Sequence, residues 1–308
     1  MTERDDDGCQ PVDRWMRAVN LAFLAAWVPL LPTAPEALPL VVAHVAALWL
    51  PALRARAGRL RPPVAFLCDV YPLLWLAAFW AELGLRHAHV NTALNDATAA
   101  HWDLLLFGRH WNLAWAPAMP MGWLSEGMHA AYASYYLLLV GVPLAVLATR
   151  DVRAIRGLAL RLAVTYGLCF IVYAWFPVEG PLASHARTGL TDGWWLRLTL
   201  SAHAAGNSLG TAFPSSHTAG AIALAWIACM HAPAGLVRRF AGPATVALAV
   251  AIALATVYTQ NHYAVDTLAG IVVAVAANLV VVPALAGERV LAVGGRWTAP
   301  LEVEATVA

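Results

Sequence analysis

The sequence predicts an all-α fold, a polytopic transmembrane bundle of about eight spans, and three observations predict it. Hydrophobic residues make up 61% of the 308 and charged residues 12%, about half the charged share of a soluble domain. Apolar stretches of the roughly 20 residues that cross a bilayer recur along the chain. The basic residues, all 19 of them arginine, gather between alternate stretches. This composition excludes disordered, collagen-like and disulfide-scaffold classes as well as an ordinary cytosolic enzyme. A net charge of +1 offers no basic field for nucleic acid. Cys9, Cys68, Cys169 and Cys229 are scattered without CxxC spacing and read as small buried hydrophobes.

The eight expected spans are 15–32, 36–53, 63–84, 128–148, 158–176, 214–232, 241–260 and 264–285. The first two carry Pro29, Pro32, Pro39 and Pro51, tolerable near span ends or against neighbouring helices. The start of the chain, rich in Asp and Glu, is not a cleavable signal peptide; residues 1–14 and 286–308 read as cytosolic tails, the first one disordered, around a single membrane domain. Eight spans put 15 arginines on one side, including Arg54, Arg56, Arg59 and Arg61, Arg150, Arg153, Arg156 and Arg161, and Arg238 and Arg239. Only Arg86, Arg109, Arg187 and Arg197 fall on the other. The asymmetry orients both termini to the cytoplasm. Two long loops, about 85–127 and 177–213, then lie on the non-cytoplasmic side of a cell-membrane protein and hold most of the polar chemistry. Within the first, Ala93–Trp115 alternates apolar and polar residues around Trp102, Trp111 and Trp115 and reads as an interfacial helix.

The candidate chemistry lies at two span ends. Thr211-Ala-Phe-Pro-Ser-Ser-His217-Thr218 opens the sixth span. Pro suits a first helical turn and Ser an N-cap, leaving backbone N–H groups free to hold an anion beside His217. Asn261-His-Tyr-Ala-Val-Asp266 follows the seventh. His262 and Asp266, at i and i+4, share a helix face, where the carboxylate fixes the ring tautomer and leaves the other nitrogen as nucleophile or base. Two spans and a turn separate the histidines, so both return to one membrane face. Two histidines, an oriented carboxylate and a helix N-terminus suit phosphoryl transfer through a phosphohistidine.

Phe213-Pro-Ser-Ser-His217 and His262-Tyr-Ala-Val-Asp266-Thr-Leu-Ala-Gly270 resemble the second and third motifs of the type 2 phosphatidic acid phosphatase superfamily. Asp103-Leu-Leu-Leu-Phe-Gly108, Tyr132-Ala-Ser-Tyr-Tyr136 and Phe176-Pro-Val-Glu-Gly-Pro181 resemble the branch that includes inositol phosphorylceramide synthases. The resemblance covers about residues 100–285 and implies a six-helix catalytic core working without metal or other cofactor. It implies that His262 attacks phosphorus, Asp266 orients it, and His217 protonates the leaving group and then activates water or an acceptor hydroxyl. Ser215, Ser216 and nearby N–H groups would hold the phosphoryl oxygens. Two departures stand out. Thr256 occupies the place of an arginine usual in the phosphatases, and the loop FPVEGPLASHAR lacks the first-motif Lys and Arg-Pro. Arg187 is its one cation, so Arg187, or protonated His185 or His203, is the candidate replacement.

Blander readings apply elsewhere. His44, His87, His89, His129 and His231 read as wet polar residues at span edges; Asp69 as a helix–helix contact, with His44 or a backbone group as its partner; Glu82 as interfacial; Tyr132, Tyr135 and Tyr136 as aromatic packing with room for headgroup contact. A zinc set from His203, His217, His262 and Asp266 is disfavoured because no HExxH motif occurs and none of these histidines belongs to an HxH pair. The expected activity is therefore hydrolysis of a lipid phosphate or pyrophosphate, with phosphatidate or a polyprenyl pyrophosphate as substrate and no nucleic-acid partner. The alternatives are a phospho-headgroup transferase and, in another class, a non-catalytic lipid transporter or scaffold.

Overall fold

The computed structural model describes residues 10–52, 62–89, 94–183, 185–206, 209–231 and 236–286. The chain is nearly all helical, without a strand among the described residues. Its main helices are α1 (Pro11–Trp27), α2 (Leu38–Ala47), α3 (Pro62–His89), α4 (Asp96–Phe107), α5 (Trp111–Ala118), α6 (Gly122–Ala148), α7 (Val152–Trp175), α8 (Trp194–Gly206), α9 (Ser216–His231), α10 (Leu236–Tyr258), α11 (Ala264–Ala276) and α12 (Val282–Ala286). A π-helical turn, Ala277–Val281, joins the last two.

Six helical stretches are long and apolar enough to cross a membrane: Pro35–Ala52, Phe66–His87, Gly122–Ala148, Val152–Trp175, Phe240–Tyr258 and Ala264–Ala286. The expected first and sixth spans are shorter helices, of 17 residues in α1 and 16 in α9. In the first, Pro29 turns the chain into a short 3-10 segment, Val28–Leu30. Helix α1 begins at Pro11, so the polar tail is shorter than residues 1–14. The remainder of that tail, residues 287–308, the arginines at 54–61 and the side chains of His89, His203, Arg238 and Arg239 lie outside the described residues.

Two loops carry more helix than expected. Ala93–Trp115 is not one interfacial helix: Gly108, at φ 70°, ends α4 in the left-handed region, and α5 starts afresh at Trp111. Helix α7 begins at Val152, where Asp151 caps it by accepting from Arg153 N, and so draws two expected loop arginines, Arg153 and Arg156, into helix. Arg156 pairs with Asp69 at 2.9 Å, and buried Arg161 donates to Asn278 Oδ1 in the π-turn at 3.1 Å. Asp69 thus contacts Arg156 rather than His44.

Helix α9 is the axis of the bundle. Small residues Ala219, Gly220, Ala221, Ala223 and Ala225 let α6, α7, α10 and α11 surround it, and it is buried over most of its length. The outward faces of α6, α10 and α11 are apolar, as lipid requires: Leu137, Leu144, Val250 and Val272 are exposed. Helices α1 and α3 pack on α7 from the other side. There His44 is buried, its Nδ1 2.9 Å from Asn20 Oδ1 and its Nε2 2.8 Å from Glu82 Oε1, which also accepts from Trp27 Nε1. Glu82 is therefore a buried partner rather than an interfacial residue, and His44 is not wet. Burial of an ionisable side chain in an apolar bundle demands a partner, and sequence separation hid this one. Cys169 is buried as expected, Cys68 half-buried, and Cys229, against expectation, exposed.

Candidate active site

Each site segment is pinned before its side chains are placed. Pro214 precedes α9 rather than entering its first turn, and the Phe213–Pro214 peptide is cis. Ser215 is the cap, its Oγ accepting from Thr218 N at 3.3 Å. Tyr173, near the end of α7, locks this corner: its hydroxyl donates to Pro214 O at 2.6 Å and accepts from Ser216 N at 3.1 Å. Ser215 N donates to Asp266 O at 2.9 Å, joining the start of α9 to the first turn of α11. This approach needs Gly270, where a Cβ would stand 2.5 Å from Ser215 O.

The first turn of α11 is held by two carboxylates. Asp266 Oδ2 accepts from Tyr263 N at 2.9 Å, and Asp103 Oδ1, from α4, accepts from Val265 N at 2.9 Å. Both occupy the positive end of the helix dipole. Asp266 Oδ2 also faces His262 Nδ1 at 3.4 Å, so the proton of the neutral ring belongs on Nδ1 and the lone pair on Nε2. Ahead of it, Asn261 N and His262 N both donate to Thr256 O, at 3.2 and 3.1 Å. Thr256 is buried, its hydroxyl bonded to Ala253 O and 2.8 Å from the Thr267 hydroxyl. It supplies backbone geometry to the turn.

His217 lies half-buried in the first turn of α9, its ring centroid 5.9 Å from that of His262. Tyr132 stacks on it at 4.6 Å and Tyr135 leans on it at 4.4 Å, with Tyr136 at 6.2 Å. The tyrosine cluster of α6 therefore packs on the histidine, and Tyr135 is braced by the Tyr166 hydroxyl at 2.8 Å.

Arg187 reaches the site from the loop after α7. Its Nη2 donates to Asn261 Oδ1 at 2.8 Å, while Gln260 clasps the next residue, accepting from Thr188 N at 3.1 Å and donating to Thr188 O at 2.6 Å. Partial burial lowers the Arg187 pKa from its usual value, Tyr132 opposing the shift; a guanidinium stays charged through such a change. The base of the same loop is tied three ways. Val178 and Thr211 form a parallel bridge, Asp96 accepts from Glu179 N and Gly180 N at 3.0 and 2.8 Å, and Glu179 Oε2 accepts from Gly210 N at 2.6 Å. Burial raises the Glu179 pKa, the Gly210 N–H opposing and Asp96 adding to it.

All six expected site residues, Ser215, Ser216, His217, His262, Asp266 and Arg187, thus meet at one end of the bundle. His185 is exposed, and Arg197 is engaged with Asp192 on the surface at 2.8 Å. Sequence reasoning missed Gln260, Asn261 and Tyr173, whose roles depend on partners 72, 74 and 41 residues away. A polar Gln-Asn pair just before a candidate histidine was the available signal. It also missed that His129 is fully buried rather than wet. Among the described residues no three His, Cys, Asp or Glu are grouped to hold a metal ion.

Fold and site together define an all-helical membrane protein with an arginine, two histidines and a carboxylate gathered at a helix N-terminus. A profile of the PAP2 superfamily matches residues 101–280. The chain belongs to the PAP2 superfamily, whose members are generally phosphatases or phosphotransferases. No curated protein and no solved structure matches it.

Proposed function

We propose that the protein is an integral-membrane lipid phosphatase that hydrolyses a lipid phosphate or pyrophosphate, of the phosphatidate or polyprenyl pyrophosphate type, at the non-cytoplasmic face. The observation that carries this reading is the His262 ring, faced on Nδ1 by Asp266 Oδ2 at 3.4 Å, with the His217 ring 5.9 Å away. His262 Nε2 attacks phosphorus; the bond from phosphorus to the lipid oxygen breaks as His217 gives that oxygen a proton. Water then loses a proton to His217 and attacks, and the P–N electron pair returns to Nε2. Asp266 holds the tautomer and balances the imidazolium charge. Arg187 and the Ser215 and Ser216 hydroxyls receive the phosphoryl oxygens at the positive end of α9.

A specific observation favours a second reading, a phospho-headgroup transferase of the inositol phosphorylceramide synthase type. Neutral, buried Thr256 stands where the phosphatases usually carry an arginine, so Arg187 is left as the site's described cation. Slower capture of water gives an acceptor hydroxyl its opportunity.

The test is phosphate release from a panel of lipid phosphates by detergent-purified protein, with EDTA present and His262→Ala in parallel. Release that survives EDTA and is abolished in the variant is expected. Release abolished by EDTA overturns the metal-free mechanism. No release from any lipid moves the reading to transfer, pursued with labelled headgroup donors.

A further inference from the structure

One buried group at the site is used by none of these steps. His129 lies on the buried stripe of α6 that runs Ser125, His129, Tyr132, one turn before the tyrosine that stacks on His217. Its ring is fully buried, and Nδ1 lies 2.7 Å from Ser125 O. A carbonyl can only accept, so Nδ1 carries the proton of the neutral ring and Nε2 presents a lone pair. That Nε2 has no hydrogen-bond partner and is sealed from solvent. The Arg187 charge bears on His129 and on Tyr132 alike, and Arg187 Nη1 is likewise a buried donor without a partner. A buried acceptor and a buried cationic donor are thus both left open until something pairs with them.

The geometry points to a hydroxyl subsite: His129 Nε2 accepts a hydrogen bond from a hydroxyl near the substrate's phosphate, while Arg187 Nη1 donates to an oxygen of the same headgroup. His129 thereby sets specificity for phosphates with a free neighbouring hydroxyl. This inference rests on the proposed phosphoryl chemistry only for where the phosphate lies. A site built to pair with a substrate hydroxyl discriminates against the analogue lacking it, because its own polar group is then stranded.

The experiment compares 1-oleoyl-lysophosphatidate, which has a free hydroxyl at its central carbon, with the 2-deoxy analogue, 3-oleoyloxypropyl phosphate. Binding is read as thermal stabilisation of detergent-purified protein and turnover as phosphate release, for wild type, His129→Phe and His129→Gln. Wild type should favour the hydroxyl lipid about tenfold. The ratio should fall to about one in His129→Phe, which fills the space without an acceptor, and lie between in His129→Gln, which restores one. A wild-type ratio near one, or an unchanged ratio in His129→Phe, overturns the subsite and leaves a water between His129 and Arg187 as the occupant. Should the Phe variant fail to fold, the wild-type ratio and the Gln variant decide. Selective stabilisation by the hydroxyl lipid without phosphate release supports the subsite and overturns the phosphatase reading instead.

Discussion

At the scale of single residues, the proposed site depends on side chains outside the proposed chemistry. Asn261 accepts from Arg187 and sits beside His262, so the cation and the proposed nucleophile share one support. Asn261→Ala should lower kcat/KM about 10- to 100-fold, the worth of a hydrogen bond to a charged group. Arg187→Ala should cost a similar factor and the double variant little more, because both remove one coupling; kinetics of the three variants on one lipid phosphate check this. Additive losses would show that Asn261 does not act through Arg187. His217, His262 and Asp266 were legible in the sequence because their spacing is local, although His262 stands in the turn ahead of α11 and not on a helix face shared with Asp266. Asn261 and Tyr173 were not, because what they hold is set by the meeting of α7, α9 and the loop, and no local period encodes that. His129 failed for a related reason: its wet reading rested on distance from the span end, whereas its exposure is decided by the loop folded over α6.

At the scale of elements, the approach of α9 and α11 sets the site. A Cβ at Gly270 would meet backbone, Ser215 O at 2.5 Å, together with Thr218 Cβ at 3.1 Å, and backbone does not swing aside. Gly270→Ala should therefore push the two helix starts apart, costing about 1–3 kcal/mol and most of the activity. Gly141→Ala, where a Cβ meets nothing within 4 Å, is the control and should keep both. Melting temperature and phosphate release in detergent separate these outcomes. The loop between α7 and α9 carries a pH dependence through Glu179, whose pKa is raised by burial. The folded protein then keeps this proton to higher pH than the unfolded chain does. The stability so gained is full below the unfolded pKa and is lost as pH climbs through the raised one. Glu179→Gln retains an acceptor for Gly210 N and should match wild type in Tm at about pH 4 but exceed it at about pH 7. A Tm difference independent of pH, measured across that window, would contradict the assignment. Span positions were readable here from hydropathy, but starts were not: α7 and α6 begin six residues earlier than apolarity alone suggests, α7 because the Asp151 side chain caps its first N–H groups.

At the scale of the whole molecule, the N-terminal helices lie outside the residues matched by the superfamily and are held to the rest by polar contacts as well as packing. Trp15 Nε1 donates to Ala163 O at 2.8 Å, and Arg156 reaches Asp69. Within that part, Glu82→Ala strands His44 and the Trp27 N–H in an apolar interior and should cost about 3–5 kcal/mol, as breaking a buried pair does. Thermal unfolding in detergent should show the loss, while phosphate release measured well below the melting temperature should persist in whatever remains folded. Loss of turnover without loss of stability would place Glu82 in the chemistry instead. The burial of α9 has a further consequence, for biosynthesis. Its neighbours α6 and α7 are made before it, but α10 and α11 only after it. At 16 residues it is also brief for an independent membrane anchor. A nascent chain halted after α9 thus holds a helix whose inward sides have half their companions, and the strongly apolar Phe240–Tyr258 must follow to complete the enclosure. Insertion of α9 is therefore expected to be a joint event with α10, which makes the proposed site among the last parts of the chain to be assembled.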